Sequence, residues 1–121
     1  MNSSYIKNVL YYRCRKEVAN KLQGGLKIKK MLFSFGQTVA TRSIYSWMIN
    51  DPKFCQELSI AVQRHASGDW GDLCEEDKKT NDIALHKNGR LFSEYDTSQG
   101  KIWIITELYI SVTTILFPYE Y

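Results

Sequence analysis

Residues 65–77 hold the densest group of side chains in the chain that could take part in chemistry, His65-Ala-Ser-Gly-Asp69-Trp70-Gly-Asp72-Leu-Cys-Glu-Glu76-Asp77. A histidine beside a carboxylate can serve as a general base, so His65 is a candidate catalytic residue. The acidic side chains supply the oxygen ligands that Ca²⁺ or Mg²⁺ prefers, so a cation site built from Asp69, Asp72, Glu76 and Asp77 is a second candidate. The segment contains no EF-hand, P-loop, HExxH, GxGxxG or nucleophile-elbow pattern to support either chemistry.

A structural role accounts for the same residues more simply. Two glycines permit the positive φ angles of a tight loop, and Asp69 and Asp72 can accept hydrogen bonds from exposed backbone N–H groups. Trp70 offers a large core anchor whose indole N–H needs an acceptor. His65 and Asn81 would then complete a buried polar network. We take this as the leading interpretation, with the cation site and catalysis as alternatives.

Helices are predicted on both sides of this loop. Asp51 suits an N-cap and Pro52 the first helical position, and Gly68 is a plausible end of the helix that they start. That helix would place Phe54, Leu58, Ala61, Val62 and His65 on one side. After the loop, the pattern Asp72-Leu-Cys-Glu75 predicts a capping box. A helix would follow over residues 73–88, with Gly89 as the left-handed residue after it.

The first part of the chain predicts helix, strand and helix. Apolar residues recur every fourth position over residues 3–22, which predicts a basic N-terminal helix. Residues 32–40 predict a strand because apolar residues alternate there. Residues 41–50 predict a short helix.

The last third of the chain predicts strands. Residues 90–95 form one strand, residues 96–100 a hairpin loop, and residues 111–117 the last strand, which Pro118 ends. Residues 101–107 are apolar on both faces, which is typical of a strand that is central in its sheet or covered on both faces. We therefore expect an α+β fold: a three- to four-stranded antiparallel sheet with helices packed on one face, plus the N-terminal basic helix.

Charge divides the chain into two parts. Residues 1–30 carry eight lysines and arginines against one acid, a net charge of +7, and residues 31–121 carry a net charge of −4. We expect a basic extension over 1–30 and a compact domain over 31–121. The extension could fold back on the domain, bind a second copy, or bind a polyanion such as nucleic acid.

Cysteine usage and the apolar pattern predict a cytoplasmic protein. The chain has three cysteines, an odd number, and no CxxC pair, so we expect reduced thiols rather than a disulfide framework or a zinc ribbon. The N-terminus lacks the apolar core of a signal peptide, and no apolar run is long enough to cross a membrane. The sequence predicts no cofactor and no metal.

A set of short motifs resembles a family of small bacterial proteins encoded on plasmids and other mobile elements. These motifs are Arg64-His65, Gly68 to Leu73, Glu76-Asp77, Asn81-Asp82, Ala84-Leu85, Gly89 to Leu91, Trp103 to Glu107, Ser111 to Thr114, Pro118 and Glu120-Tyr121. The resemblance covers about Met31 to Tyr121 and brings no established catalytic residues. It implies that residues 1–30 are an addition. It also implies a polar turn before the last strand, where this chain has the apolar tip Leu108-Tyr109-Ile110.

The resemblance implies a role in countering host defence. We therefore predict a non-enzymatic, phage- or plasmid-type inhibitor of a CRISPR or restriction effector that acts by protein–protein contact. The alternative is a nucleic-acid-binding accessory or regulatory protein of the mobile element that uses the basic extension. A small hydrolase or nuclease at the Gly68–Asp72 loop is a third class. The predicted contact residues are Tyr11, Tyr12, Arg13, Arg15, Lys16, Lys27, Lys29, Lys30, Leu108, Tyr109 and Ile110.

Overall fold

A computed structural model describes residues 31–121 and the backbone of residues 11–13. Within these residues the chain forms five strands, β1 to β5, and three helices, α1 to α3. They are β1 (Tyr11–Arg13), β2 (Gln37–Thr41), α1 (Arg42–Asn50), α2 (Pro52–Ala66), α3 (Glu75–His86), β3 (Arg90–Thr97), β4 (Gly100–Glu107) and β5 (Val112–Leu116). The α+β class that the sequence predicts is confirmed.

The strands form one mixed sheet in the order β1-β2-β5-β4-β3. The expectation of a wholly antiparallel sheet is wrong at one pairing, because β2 runs parallel to β5 with Ala40 opposite Ile115. The connection from β2 to β5 passes through all three helices and two strands, so it can return the chain in the same direction. β4 is an interior strand, as its apolar faces predict, and pairs with β3 on one side and β5 on the other.

The prediction of one helix over residues 3–22 is wrong at its middle. Residues 11–13 form β1, which pairs antiparallel with β2 so that Tyr12 lies opposite Ala40. The rest of that predicted helix lies outside the described residues. The predicted strand over 32–40 is also shorter, since residues 31–36 are irregular and β2 begins at Gln37.

Side chains cap the first two helices and fix where each begins. The Thr41 hydroxyl accepts the N–H of Ile44 at the start of α1. Asp51 accepts the N–H groups of Lys53 and Phe54 at the start of α2, and Pro52 occupies the first turn, as predicted. Both helices therefore begin where their N-cap residues indicate.

The core lies between one face of the sheet and helices α1 and α2. Alternation along β3 and β4 sends Ser93 and Tyr95, with Ile102 and Ile104, to this inner face. The core includes Ile44, Met48, Phe54, Leu58, Val62, Ile102, Ile104 and Ile115. Helix α3 lies instead along the outer edge of β3, where its Asn81 meets the strand backbone.

The residues at both ends of α3 differ from those that the sequence predicts. Its N-cap is Cys74, which makes no side-chain cap bond, so Asp72 and Glu75 form no capping box. At its other end Asn88, with φ +56°, takes the left-handed conformation that was expected of Gly89. Asparagine tolerates this conformation better than other residues with a Cβ.

Candidate functional site

The loop between α2 and α3 begins with a tight reversal at Gly68. The φ angle of this glycine is +84°, and the Asp69 N–H donates back to the Arg64 carbonyl at 2.8 Å. Glycine is the residue that adopts this left-handed backbone without steric cost. The reversal turns the chain from the end of α2 toward the edge of the sheet.

Asp69 is held by Arg64 through a bidentate ion pair. The Arg64 Nε and Nη2 atoms lie 2.7 and 3.1 Å from the two Asp69 carboxylate oxygens. The same carboxylate accepts the Gly71 N–H at 3.2 Å. The Arg64 guanidinium holds the pKa of Asp69 below its usual value, so this group is a stable anion that organises the loop.

Trp70 is buried and anchors the loop to α3. Its side chain is 3% exposed, and its indole N–H donates to Asp82 Oδ1 at 3.0 Å. The ring packs near His65, with a centroid distance of 5.7 Å and an interplanar angle of 73°. The acceptor that the indole requires is thus an aspartate on the following helix.

Residues 70–72 close the outer edge of β3. The Asp72 N–H donates to the Glu94 carbonyl at 2.8 Å, and the Glu94 N–H donates to the Trp70 carbonyl at 3.3 Å. Gly71 pairs with Glu94 as an isolated parallel bridge. The Tyr95 hydroxyl adds a bond of 2.6 Å to the Asp69 carbonyl. The loop therefore satisfies backbone groups that a free edge strand would leave open to another chain.

Asn81 closes the same edge one step further along. Its side-chain amide donates to the Phe92 carbonyl at 2.6 Å, and its carbonyl accepts the Phe92 N–H at 3.0 Å. The predicted network between Asn81 and His65 is wrong, because each residue has other partners. An asparagine amide offers a donor and an acceptor side by side, which matches the backbone of a strand.

His65 lies at the centre of a buried chain of hydroxyl groups. Its Nδ1 lies 2.6 Å from Ser93 Oγ, and its Nε2 lies 2.9 Å from Thr106 Oγ1. The Thr106 and Thr113 hydroxyl oxygens are hydrogen-bonded at 2.8 Å, and the Thr113 hydroxyl donates to the Phe35 carbonyl at 2.8 Å. His65 is 0% exposed, and burial lowers its pKa from 6.5 to about 3, so the ring is uncharged at neutral pH.

The carboxylates of the proposed cation site do not converge. Asp69 is paired with Arg64, whereas the exposed Asp72 carboxylate lies 4.0 Å from the Lys101 ammonium group. Within residues 31–121, no group of three or more histidine, cysteine, aspartate or glutamate side chains is placed to hold a metal ion. The arrangement of the loop thus offers no cation cage in the described part of the chain.

The predicted contact residues fall into three groups: strand β1, residues outside the described part of the chain, and the tip between β4 and β5. Tyr11, Tyr12 and Arg13 form strand β1, and the structure describes their backbone alone. Arg15, Lys16, Lys27, Lys29 and Lys30 lie outside the described residues. The tip Leu108–Ile110 forms a turn of 3-10 helix between β4 and β5 in which Tyr109 is 57% exposed, while Leu108 and Ile110 are half-buried.

A cleft that the sequence analysis missed lies beside α3, on the outer face of the sheet. It has a volume of about 350 Å³ and is lined by Asp77, Thr80, Asn81, Arg90, Phe92, Trp103 and Tyr121. We call it the aromatic cleft. Its signal in the sequence is alternation: Phe92 and Trp103 occupy outward positions of β3 and β4, where a solvated antiparallel face would favour polar residues.

Comparisons of the chain with models of protein families, with curated proteins and with solved structures found no match. The family resemblance therefore stays a prediction. Within the described residues, no helix combines the length and the apolar character that crossing a bilayer requires.

Proposed function

We propose that this chain is a non-enzymatic binding protein of a mobile element that inhibits a host defence effector, of the CRISPR or restriction type, through protein–protein contact. The observation that carries the non-enzymatic part is the burial of His65. A general base must come within hydrogen-bond distance of the proton that it removes. His65 is sealed from solvent, and hydroxyl groups occupy both of its ring nitrogens.

The other polar groups of the loop support the same conclusion. Asp69 is engaged by Arg64 and by the Gly71 N–H, and Trp70 is engaged by Asp82. These contacts hold the loop on α2, brace it internally and hold it on α3, respectively. In this segment His65, Asp69 and Trp70, the candidates for catalysis or for core anchoring, thus each have a structural use.

The tip Leu108–Ile110 supports a protein partner. Tyr109 presents an exposed ring, and its hydroxyl donates to Glu107 Oε2 at 3.0 Å. This bond restrains the ring before any partner arrives, which lowers the entropy cost of binding. Tyrosine is also enriched at protein–protein interfaces. The net charge of −4 on residues 31–121 is small for a mimic of DNA, so a contact through the tip and residues 1–30 is favoured.

The test is protection of phage against a defence system. Bacteria carrying a CRISPR or restriction effector are challenged with phage in the presence of the full-length protein, and phage growth should be restored. Tyr109→Ala should reduce both this protection and the co-purification of the effector. Tyr119→Ala, at an exposed tyrosine outside the tip, should reduce neither. A second variant replaces Lys27, Lys29 and Lys30 by glutamine. If neither this variant nor Tyr109→Ala reduces the protection of phage, the proposed contact is contradicted.

The charge of residues 1–30 favours nucleic-acid binding as the second candidate. Their net charge of +7 would release counterions from a polyanion, so binding should weaken steeply with salt. The purified chain is titrated with DNA and RNA at rising salt concentrations. Binding to neither nucleic acid at low salt would eliminate this candidate.

A further inference from the structure

The aromatic cleft has the size and composition of a small-molecule site. Its volume of about 350 Å³ falls within the range of roughly 300–1,000 Å³ that is usual for ligand pockets. Such pockets combine apolar walls with a few polar groups. Here the walls are Phe92, Trp103 and Tyr121, and the polar groups come from α3 and from Arg90.

The three aromatic rings meet at steep angles. Phe92 and Trp103 lie 4.8 Å apart at 87°, and Trp103 and Tyr121 lie 5.3 Å apart at 73°. The indole is fixed in place because its N–H donates to Glu94 Oε1 at 2.9 Å. All three rings line the cleft, so each of them forms part of its wall. A flat ligand can lie against such a wall.

Two opposite charges select against charged ligands. Arg90 lines the cleft, donates to the Tyr121 hydroxyl at 2.8 Å and lies 5.6 Å from the centre of that ring. Asp77 lines the cleft from the first turn of α3 and is exposed. A cation would be attracted by Asp77 and repelled by Arg90, and an anion the reverse, so neither sign of charge is favoured by both groups. The cleft as a whole therefore fits an uncharged ligand with polar edges.

Asp77 specifies which edge the ligand presents. Within the described residues its carboxylate makes no hydrogen bond or ion pair, and a carboxylate can accept two N–H donors side by side. Among the common nucleobases, guanine presents two neighbouring donors, N1–H and the 2-amino group, on one edge. Its O6 and N7 atoms are also the acceptors that arginine recognises most often.

We propose that the aromatic cleft binds a guanine base, with the ring against Trp103 and the N1–H and 2-amino donors on the Asp77 carboxylate. This site needs neither a defence effector nor residues 1–30, so it is independent of the proposed function. The isolated full-length chain is enough to test it.

The experiment titrates the full-length chain with guanosine, inosine, adenosine, cytidine and uridine by calorimetry or ligand-observed NMR. Guanosine should bind roughly ten- to a hundredfold more tightly than adenosine, cytidine or uridine, since this is the discrimination of one good bidentate pair. Inosine lacks the 2-amino group and should bind about tenfold more weakly than guanosine. Guanosine that fails to bind at millimolar concentration would overturn the proposal.

Two variants locate the site. Asp77→Asn should abolish the preference for guanosine over inosine, because the carboxylate that distinguishes them is gone. Glu76→Gln changes an exposed neighbour on α3 that does not line the cleft, so it should keep the preference. Trp103→Leu should weaken the binding of all five nucleosides. A melting curve of this variant verifies that it folds. A preference that survives Asp77→Asn, or tighter binding of N-acetyl-arginine amide than of guanosine, would refute the assignment.

Discussion

The hydrogen bonds around His65 determine which of its ring nitrogens carries the proton. Thr113 donates its hydroxyl hydrogen to the Phe35 carbonyl, so Thr113 must accept from Thr106. Thr106 has then used its own hydrogen and must accept from His65 Nε2. The ring is therefore the Nε2–H tautomer, and its Nδ1 accepts the Ser93 hydroxyl.

NMR of the imidazole nitrogens checks this assignment. In a ¹⁵N-labelled sample we expect His65 Nε2 to carry the proton and Nδ1 to carry none, with both signals unchanged between about pH 7 and pH 5, because the ring stays neutral far below its usual pKa. His86, which is exposed, identifies the second set of histidine signals by its loss in His86→Asn. A proton on Nδ1 would contradict this assignment, because Thr106 would then donate to Nε2 and Thr113 to Thr106, which would leave the Phe35 carbonyl without its donor.

Trp70 contributes to stability through one hydrogen bond and its buried area. Trp70→Phe removes the 3.0 Å bond to Asp82 and part of the indole volume, so the free energy of unfolding should fall by about 1–2 kcal/mol. Urea denaturation measures the change. Trp47→Phe is the matched control because Trp47 is 42% exposed, and it should cost less than about 0.5 kcal/mol. Equal costs would mean that the loop tryptophan is not an anchor.

At the scale of elements, local signals in the sequence predicted those elements whose ends are set locally. Asp51 and Pro52 mark the start of α2, and β4 is apolar on both faces, so both were predictable. The parallel pairing of β2 with β5 was not, because it joins residues more than seventy positions apart. The capping box at Asp72 is wrong for a similar reason. The Asp72 N–H donates to the Glu94 carbonyl at the edge of the sheet, and Glu94 is distant in sequence.

The aromatic cleft escaped prediction because its lining comes from three elements and the residue Tyr121. Asp77 belongs to α3, Phe92 to β3 and Trp103 to β4, and Tyr121 follows the turn Pro118–Glu120. Each of these residues has an ordinary local explanation, as a helix-start acid or a strand aromatic. Their convergence depends on α3 lying beside the edge of β3, which the sequence pattern did not determine.

Gly71 tests the contact between the loop and β3. Its φ angle is +79°, and a Cβ at this position would collide with the Glu94 carbonyl oxygen. Gly71→Ala should therefore destabilise the fold by at least about 2 kcal/mol more than Gly100→Ala does. Gly100 is the matched control because its φ is also positive, at +103°, but a Cβ there meets no atom within 4 Å. Urea denaturation of both variants gives the comparison, and equal costs would show that the loop can move away from β3.

At the scale of the whole molecule, the acid stability of the fold depends on groups whose pKa values folding lowers. His65 changes most, from 6.5 to about 3, because burial penalises its charged form. The unfolded chain binds a proton at His65 below about pH 6.5, whereas the folded chain does not until about pH 3. The stability that this difference supplies is present above pH 6.5 and is lost as the pH falls. Folding also lowers the pKa values of Asp51 and Asp69, and their contributions are lost at more acidic pH, below about 4.

The interval between pH 6.5 and pH 4.5 therefore isolates His65. Over this interval the free energy of unfolding should fall by up to about 1.4 kcal/mol per pH unit, which corresponds to one proton taken up on unfolding. Urea denaturation of the wild-type chain at half-unit steps of pH measures the slope. His65→Gln should flatten it, and His86→Asn, at the exposed histidine, should leave it unchanged. If His65→Gln does not fold, the slope of the wild-type chain is sufficient by itself. A flat profile would mean that His65 takes up a proton in the folded state, and so that it is not buried as the structure places it.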